Sequence, residues 1–114
     1  MQGFRILLVT IFVVITLYTA VVIANHGPNL LPVFFGDMAA MAWPGQFNLD
    51  FMCLLMLSAL WVSWRSGFSP AGLTLGTLAF FGGALFLSVY LLIESFRVKG
   101  DIAALLLGPV RAAA

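Results

Sequence analysis

Charge is what this sequence has least of. Asp, Glu, Lys and Arg make up 8% of its 114 residues, against 63% hydrophobic residues. Soluble domains carry about a quarter charged residues, so a solvated globular surface is excluded. An integral membrane protein is expected, in line with a mean hydropathy of +1.14. The few charges, five basic and four acidic, are scattered and sum to +1. That excludes a nucleic-acid footprint and a polybasic lipid-binding tail. Cysteine is present once, as Cys53, which rules out an intrachain disulfide and a CxxC metal motif. Histidine is also present once, as His26, so a bis-imidazole haem site cannot form within the chain. There is no Ser-His-Asp set, phosphate-cradling glycine loop or HExxH sequence, and an enzyme is not expected.

Long uncharged runs are what the sequence does have. Ile6 to Ala24 lies between Arg5 and Asn25 and at about 1.5 Å per residue spans roughly 28 Å, close to the hydrocarbon thickness. It reads as a retained membrane helix, 6–25. Arg5 ahead of it and Ala20 and Ala24 at its end would also suit a secretory signal peptide. A second span is expected over 46–65, anchored at the interface by Trp61, Trp64 and Arg65. A third is expected over 71–96, where Ala71 to Ile93 is uncharged. In it Gly72, Gly76, Ala79 and Gly83 form a small-residue stripe of the kind that lets membrane helices approach closely. The stripe would pack either within the chain or against a second subunit.

Between the first two spans, Pro28, Pro32, Gly36, Pro44 and Gly45 punctuate an apolar stretch. An interfacial elbow over 30–43 is expected, with Asp37 as N-cap of a short "MAAMAW" helix that Pro44-Gly45 stops. A re-entrant, ligand-lining loop is the alternative. At the other end, Asp101 is placed to cap a short apolar helix that Gly108-Pro109 ends. Too short to span, this tail (101–108) is expected at the interface. The whole chain is read as one all-α membrane domain, with three transmembrane helices, an interfacial elbow and an interfacial C-terminal helix.

Three crossings would put His26, Asp37, Asp50, Glu94, Arg97, Lys99, Asp101 and Arg111 on one side, leaving Arg5 and Arg65 on the other. Asp50 then reads as a shallow carboxylate in the first turn of the second span, stabilised by free N–H groups and the helix dipole and facing Arg97 and Lys99. Cys53, one turn deeper, would lie in a dry seam. Glu94 has Arg97 at i+3, so both can snorkel to the headgroups. His26 could ligate a haem or pigment metal or hydrogen-bond a quinone, although a lone His before Gly-Pro also suits a solvated loop. These five, His26, Asp37, Asp50, Glu94 and Arg97, are the candidate ligand or partner residues.

The order W-x-G-x-F-N-L-D-F from Trp43 to Phe51, an Arg after that helix, a glycine-rich third helix and a closing G-D-x-x-A-L-L-L-G at 100–108 resembles small bacterial three-helix membrane proteins known as domains of unknown function. The resemblance implies a fold and transfers no catalytic residue. The expected role is an accessory or scaffolding subunit of a larger membrane assembly, touching lipids and other subunits or a second copy. Pigment, quinone or lipid are the ligands that its aromatic surface could accept, and none is required. A pigment-binding protein using a cleft between the elbow and the second and third spans is the alternative, and an oligomeric ion or solute carrier a lesser one. A bacterial inner or intracytoplasmic membrane is expected, with the N-terminus cytoplasmic because the first loop lacks Lys and Arg.

Overall fold

The computed structural model describes residues 1–113 as six helices. They are α1 (Gln2–His26), α2 (Leu30–Ala39), α3 (Trp43–Arg65), α4 (Pro70–Arg97), α5 (Ile102–Leu107) and α6 (Pro109–Ala113). Three of them, α1, α3 and α4, are long and apolar enough to cross a membrane.

Prolines and glycines set the element boundaries. Gly27, at φ 79°, ends α1, and Pro28 follows it. Pro32 falls in the first turn of α2, where its missing N–H has no intrahelical partner to lose. Asp37 lies in the last turn of α2 and caps no helix, which corrects the expected "MAAMAW" segment. Pro44 likewise starts α3 instead of stopping a helix, because its fixed φ suits the first turn. Gly45 is the contact between α2 and α3. A Cβ there would collide with the Asp37 carbonyl oxygen and lie 2.8 Å from Met38 Cα. Asn48 Nδ2 donates to the Phe34 carbonyl at 3.1 Å across the same contact.

The third long helix does not continue to the far side. At Gly83 the backbone takes φ 56°, ψ −140°, inside α4. The first arm, 70–82, starts where the Ser69 hydroxyl accepts from Gly72 N at 3.0 Å and runs antiparallel to α3. Gly72 stands against Ser63 and Ser66, Gly76 against Ala59 and Ser63, and Gly83 against Phe51 and Leu55. The second arm, 84–97, then comes back. Tyr90 makes an edge-on contact with Trp61 at 6.2 Å between ring centroids, and Glu94 reaches Arg65 at the very end of α3. Ala71 and Leu75 from the first arm line one cavity with Glu94 and Arg97 from the second. In a straight helix Ala71 and Arg97 would be about 39 Å apart, so α4 is a re-entrant hairpin. Irregular backbone at membrane depth must be enclosed by protein, and Gly83 is buried, with Phe51 Cζ 3.0 Å from where a Cβ would stand.

Val62, Ala79 and Tyr90 form the core, surrounded by Trp61, Leu75, Phe86, Leu87 and Leu91. Phe86 and Tyr90 stack at 5.8 Å in the second arm. The N-terminal half of α1 packs on that arm through Phe4, Leu8, Ile11 and Ile15, its less exposed residues at helical spacing. Met1 lies beside Gly100.

The charged residues therefore group at the ends of the molecule otherwise than three straight crossings would place them. Arg5, Arg65, both ends of α4, Lys99, Asp101 and Arg111 share one end of the molecule. His26, Asp37 and Asp50 share the other.

Gly72, Gly76, Ala79 and Gly83 are buried within the chain, and Gly83, against Phe51 and Leu55 of α3, also makes the turn. This gives a first prediction. In Gly76→Leu the new side chain would meet the Ser63 hydroxyl and come within 2.9 Å of the Ala59 carbonyl. Overpacking of this kind costs about 1–3 kcal/mol or more, so the thermal unfolding midpoint in detergent should fall. Leu73→Ile, on the exposed face, should leave it unchanged.

Candidate functional site: a buried arginine at the basic end

Arg65 is the last residue of α3, yet its side chain is only 4% exposed. A buried guanidinium is tolerated only when its donors are used, and here they are. Nε donates to the Leu105 carbonyl at 2.6 Å and one terminal nitrogen to the Tyr90 hydroxyl at 3.2 Å. The other terminal nitrogen reaches Glu94 Oε2 at 3.5 Å and the Ala104 carbonyl at 3.3 Å. Both carbonyls belong to the last turn of α5: the Ala104 carbonyl also accepts from the Gly108 N–H at 2.9 Å, whereas the Leu105 carbonyl faces Pro109, which has no N–H to give it. Trp61, one turn before Arg65, adds its indole N–H to the Leu106 carbonyl at 3.1 Å. Arg65 thus joins the end of α3, the returning arm of α4 and the C-terminal tail.

Glu94 serves two arginines. Its second oxygen accepts from Arg97 at 3.0 Å, and the Arg97 side chain is 72% exposed. Arg111 closes the tail by donating to the Trp64 carbonyl, with its guanidinium 4.1 Å from the Trp64 ring. Gly108, at φ 87°, lets the chain pass so close that a Cβ would collide with the Arg65 carbonyl. On the opposite flank Arg5 fixes α1, donating to the Ser95 hydroxyl and carbonyl, both at 3.0 Å, while lying 3.9 Å over the Phe96 ring.

The sequence-predicted residues divide between the two ends. Glu94 and Arg97 belong to this knot. Asp50 is about 10 Å along α3 from Trp43, two turns in rather than in the first turn. It is exposed, without a hydrogen-bond or ion-pair partner among the described residues. The cap and the pairing with Arg97 or Lys99 are both corrected, because those cations are at the other end. Cys53 is exposed too, outside any seam. Asp37 is half-buried beside Gly45. His26 lines a hollow of about 500 Å³ with Val22, Ile23, Leu30 and Val33. That hollow lies between α1 and α2, and not in the expected cleft between the elbow and the second and third spans, where α2 packs on α3 at Gly45.

Arg65 reads from the sequence only as an interfacial anchor, and Tyr90 and Ser95 carry no expected role. A usable signal existed for Tyr90, because Tyr90, Glu94 and Arg97 recur at i, i+4 and i+7 on one helical face. Chemically the knot holds and presents positive charge. It contains no nucleophile and base pair, and no group of His, Cys, Asp or Glu among the described residues could hold a metal ion. A scan of protein-family models finds no match to this chain, and comparisons with characterised proteins and with solved structures find none either.

Proposed function

We propose that the chain is an accessory subunit that completes a larger membrane assembly through the outer halves of α1 and α3. The observation carrying this reading is Asp50. A carboxylate within a membrane helix carries an insertion cost, about 2.5–3.5 kcal/mol at the helix centre and less toward the ends, and intramembrane charges normally face a partner; Asp50 stands two turns into α3. Asp50 has no partner among the described residues, and around it Phe51, Leu54 and Leu57 are exposed as well. Every residue of α1 from Thr16 to His26 is exposed. While α1 packs on α4 and α2 on α3, α1 and α3 share no extensive contact. The α4 hairpin fills only the inner half of the space between them. A neighbouring subunit's helix with a hydrogen-bond donor or cation at that depth would fill the outer half and satisfy Asp50.

We infer the orientation from the distribution of charge in the same fold. All five Lys and Arg residues lie at the end that holds the N-terminus and the tail. The positive-inside rule then favours that end as cytoplasmic, in a bacterial inner or intracytoplasmic membrane. Here the N-terminal and C-terminal charges agree, whereas three crossings would have set them against each other.

Solubilisation in a mild detergent followed by native electrophoresis tests the reading. The chain is expected to migrate with a large complex. Asp50→Leu should abolish that migration while membrane levels and the thermal stability of the isolated chain hold or rise, since an insertion cost is removed. Unchanged co-migration of Asp50→Leu would contradict it. The hollow beside His26 supports a second reading, a bound pigment or quinone, which predicts an absorption band in the purified protein that His26→Ala diminishes.

A further inference from the structure

The cavity at the basic end, about 530 Å³, has two kinds of wall. Arg65, Arg97 and Arg111 line it together with a single carboxylate, Glu94, so the lining carries a surplus of two positive charges. Ala71, Leu75 and Val110 form an apolar wall of the same cavity. Arg65 spends its donors inside the protein. Arg97 and Arg111 do not. Each uses one terminal nitrogen on the protein, Arg97 on Glu94 and Arg111 on the Trp64 carbonyl. A guanidinium has five N–H donors, so both keep donors free at the cavity. The hydrogen bonds of the tail are made without Arg97, whose side chain is largely exposed and, among the described residues, ion-pairs with a carboxylate that Arg65 already holds.

We infer that this cavity binds the phosphate headgroup of an anionic phospholipid from the leaflet that faces the basic end. Arginine forks match phosphate oxygens, and basic pockets at the cytoplasmic ends of membrane helices suit anionic headgroups. Position favours a lipid over a free phosphate. Both ends of α4 meet here, at the headgroup level expected for the ends of α3 and α4, and the Ala71, Leu75 and Val110 wall offers an acyl chain an apolar path. The site stands apart from Asp50 and His26, which lie at the opposite end. It depends on membrane placement and not on any partner subunit.

Native mass spectrometry of the delipidated full chain in a neutral detergent tests the inference, with phosphatidylglycerol and phosphatidylcholine of identical acyl chains as probes. Phosphatidylglycerol should be retained preferentially. Removing one charge near a membrane surface should weaken that retention about five-fold in Arg97→Gln and again in Arg111→Gln. Arg97→Lys should recover most of the loss, and the thermal unfolding midpoint of Arg97→Gln should match that of the parent chain. Sodium phosphate, compared with sodium chloride at equal ionic strength, should not displace the lipid. Equal retention of the two lipids would overturn the inference, as would full phosphatidylglycerol retention by Arg97→Gln. Displacement by inorganic phosphate would overturn it as well, since the cavity would then be reading free phosphate.

Discussion

Arg65→Met is expected to release the C-terminal tail and to destabilise the protein by about 3–5 kcal/mol, the range for breaking a buried ion pair by removing one partner. The reason is the number of groups that depend on one side chain. The Leu105 and Ala104 carbonyls lose donors, the Tyr90 hydroxyl loses its partner, and Glu94, buried, is left to Arg97 alone. Arg65→Lys should rescue only in part, because an ammonium cannot present the planar fork that meets α4 and α5 at once. Thermal unfolding gives the magnitude, and limited proteolysis gives the location, with new cleavage expected beyond Arg97. Adding Glu94→Leu to Arg65→Met should recover some stability, since no carboxylate then stays buried with half its partners. It should not restore protection of the tail, whose Leu105 carbonyl remains without a donor.

Gly83→Leu is expected to change the path of the chain and not only its stability. At φ 56°, ψ −140° an L-residue is strained by about 1–3 kcal/mol. Its Cβ would also stand 3.0 Å from Phe51 Cζ. The alternative open to the segment is a straight helix. Its 28 residues would then extend about 42 Å, more than the hydrocarbon thickness, and would carry Arg97 and the tail across the membrane. A C-terminal reporter should therefore move to the opposite side in a substantial fraction of Gly83→Leu molecules. Gly83→Ala should show the same shift more weakly. Ala84→Leu, one residue on and exposed, should leave the reporter where it is.

What the sequence made legible follows from which properties are local. The helical runs of α1, α3 and α4 are visible because uncharged length is read directly against bilayer thickness. The cap of α5 is equally local, and Asp101 Oδ1 does accept from Ala103 N at 3.1 Å and Ala104 N at 3.4 Å. Pro44 was misread because proline ends one helix and begins another with the same ring. The difference lies in which neighbouring segment has the better-packed surface, and Gly45 on Asp37 decides it. Gly83 was misread for a related reason. A glycine that permits close packing and a glycine that permits positive φ look alike in a stripe. The paired Gly82-Gly83 in the middle of an uncharged run was the available sign of a break. Everything non-local followed from that one residue. With α4 straight, Arg97 falls beside Asp50 and Arg65 is an isolated anchor. Once α4 turns back, Arg97 joins Arg65, and Asp50 is left without a partner.

The central claim, that α4 returns at Gly83 and both ends of the described chain lie on one side, is tested most directly by labelling. Gln2→Cys and Ala113→Cys, each in a Cys53→Ser background, are probed with a membrane-impermeant maleimide in sealed right-side-out vesicles. Both cysteines should be protected in intact vesicles and should react once the vesicles are permeabilised. Labelling of one position in intact vesicles with protection of the other would place the two ends on opposite sides and contradict the re-entrant path.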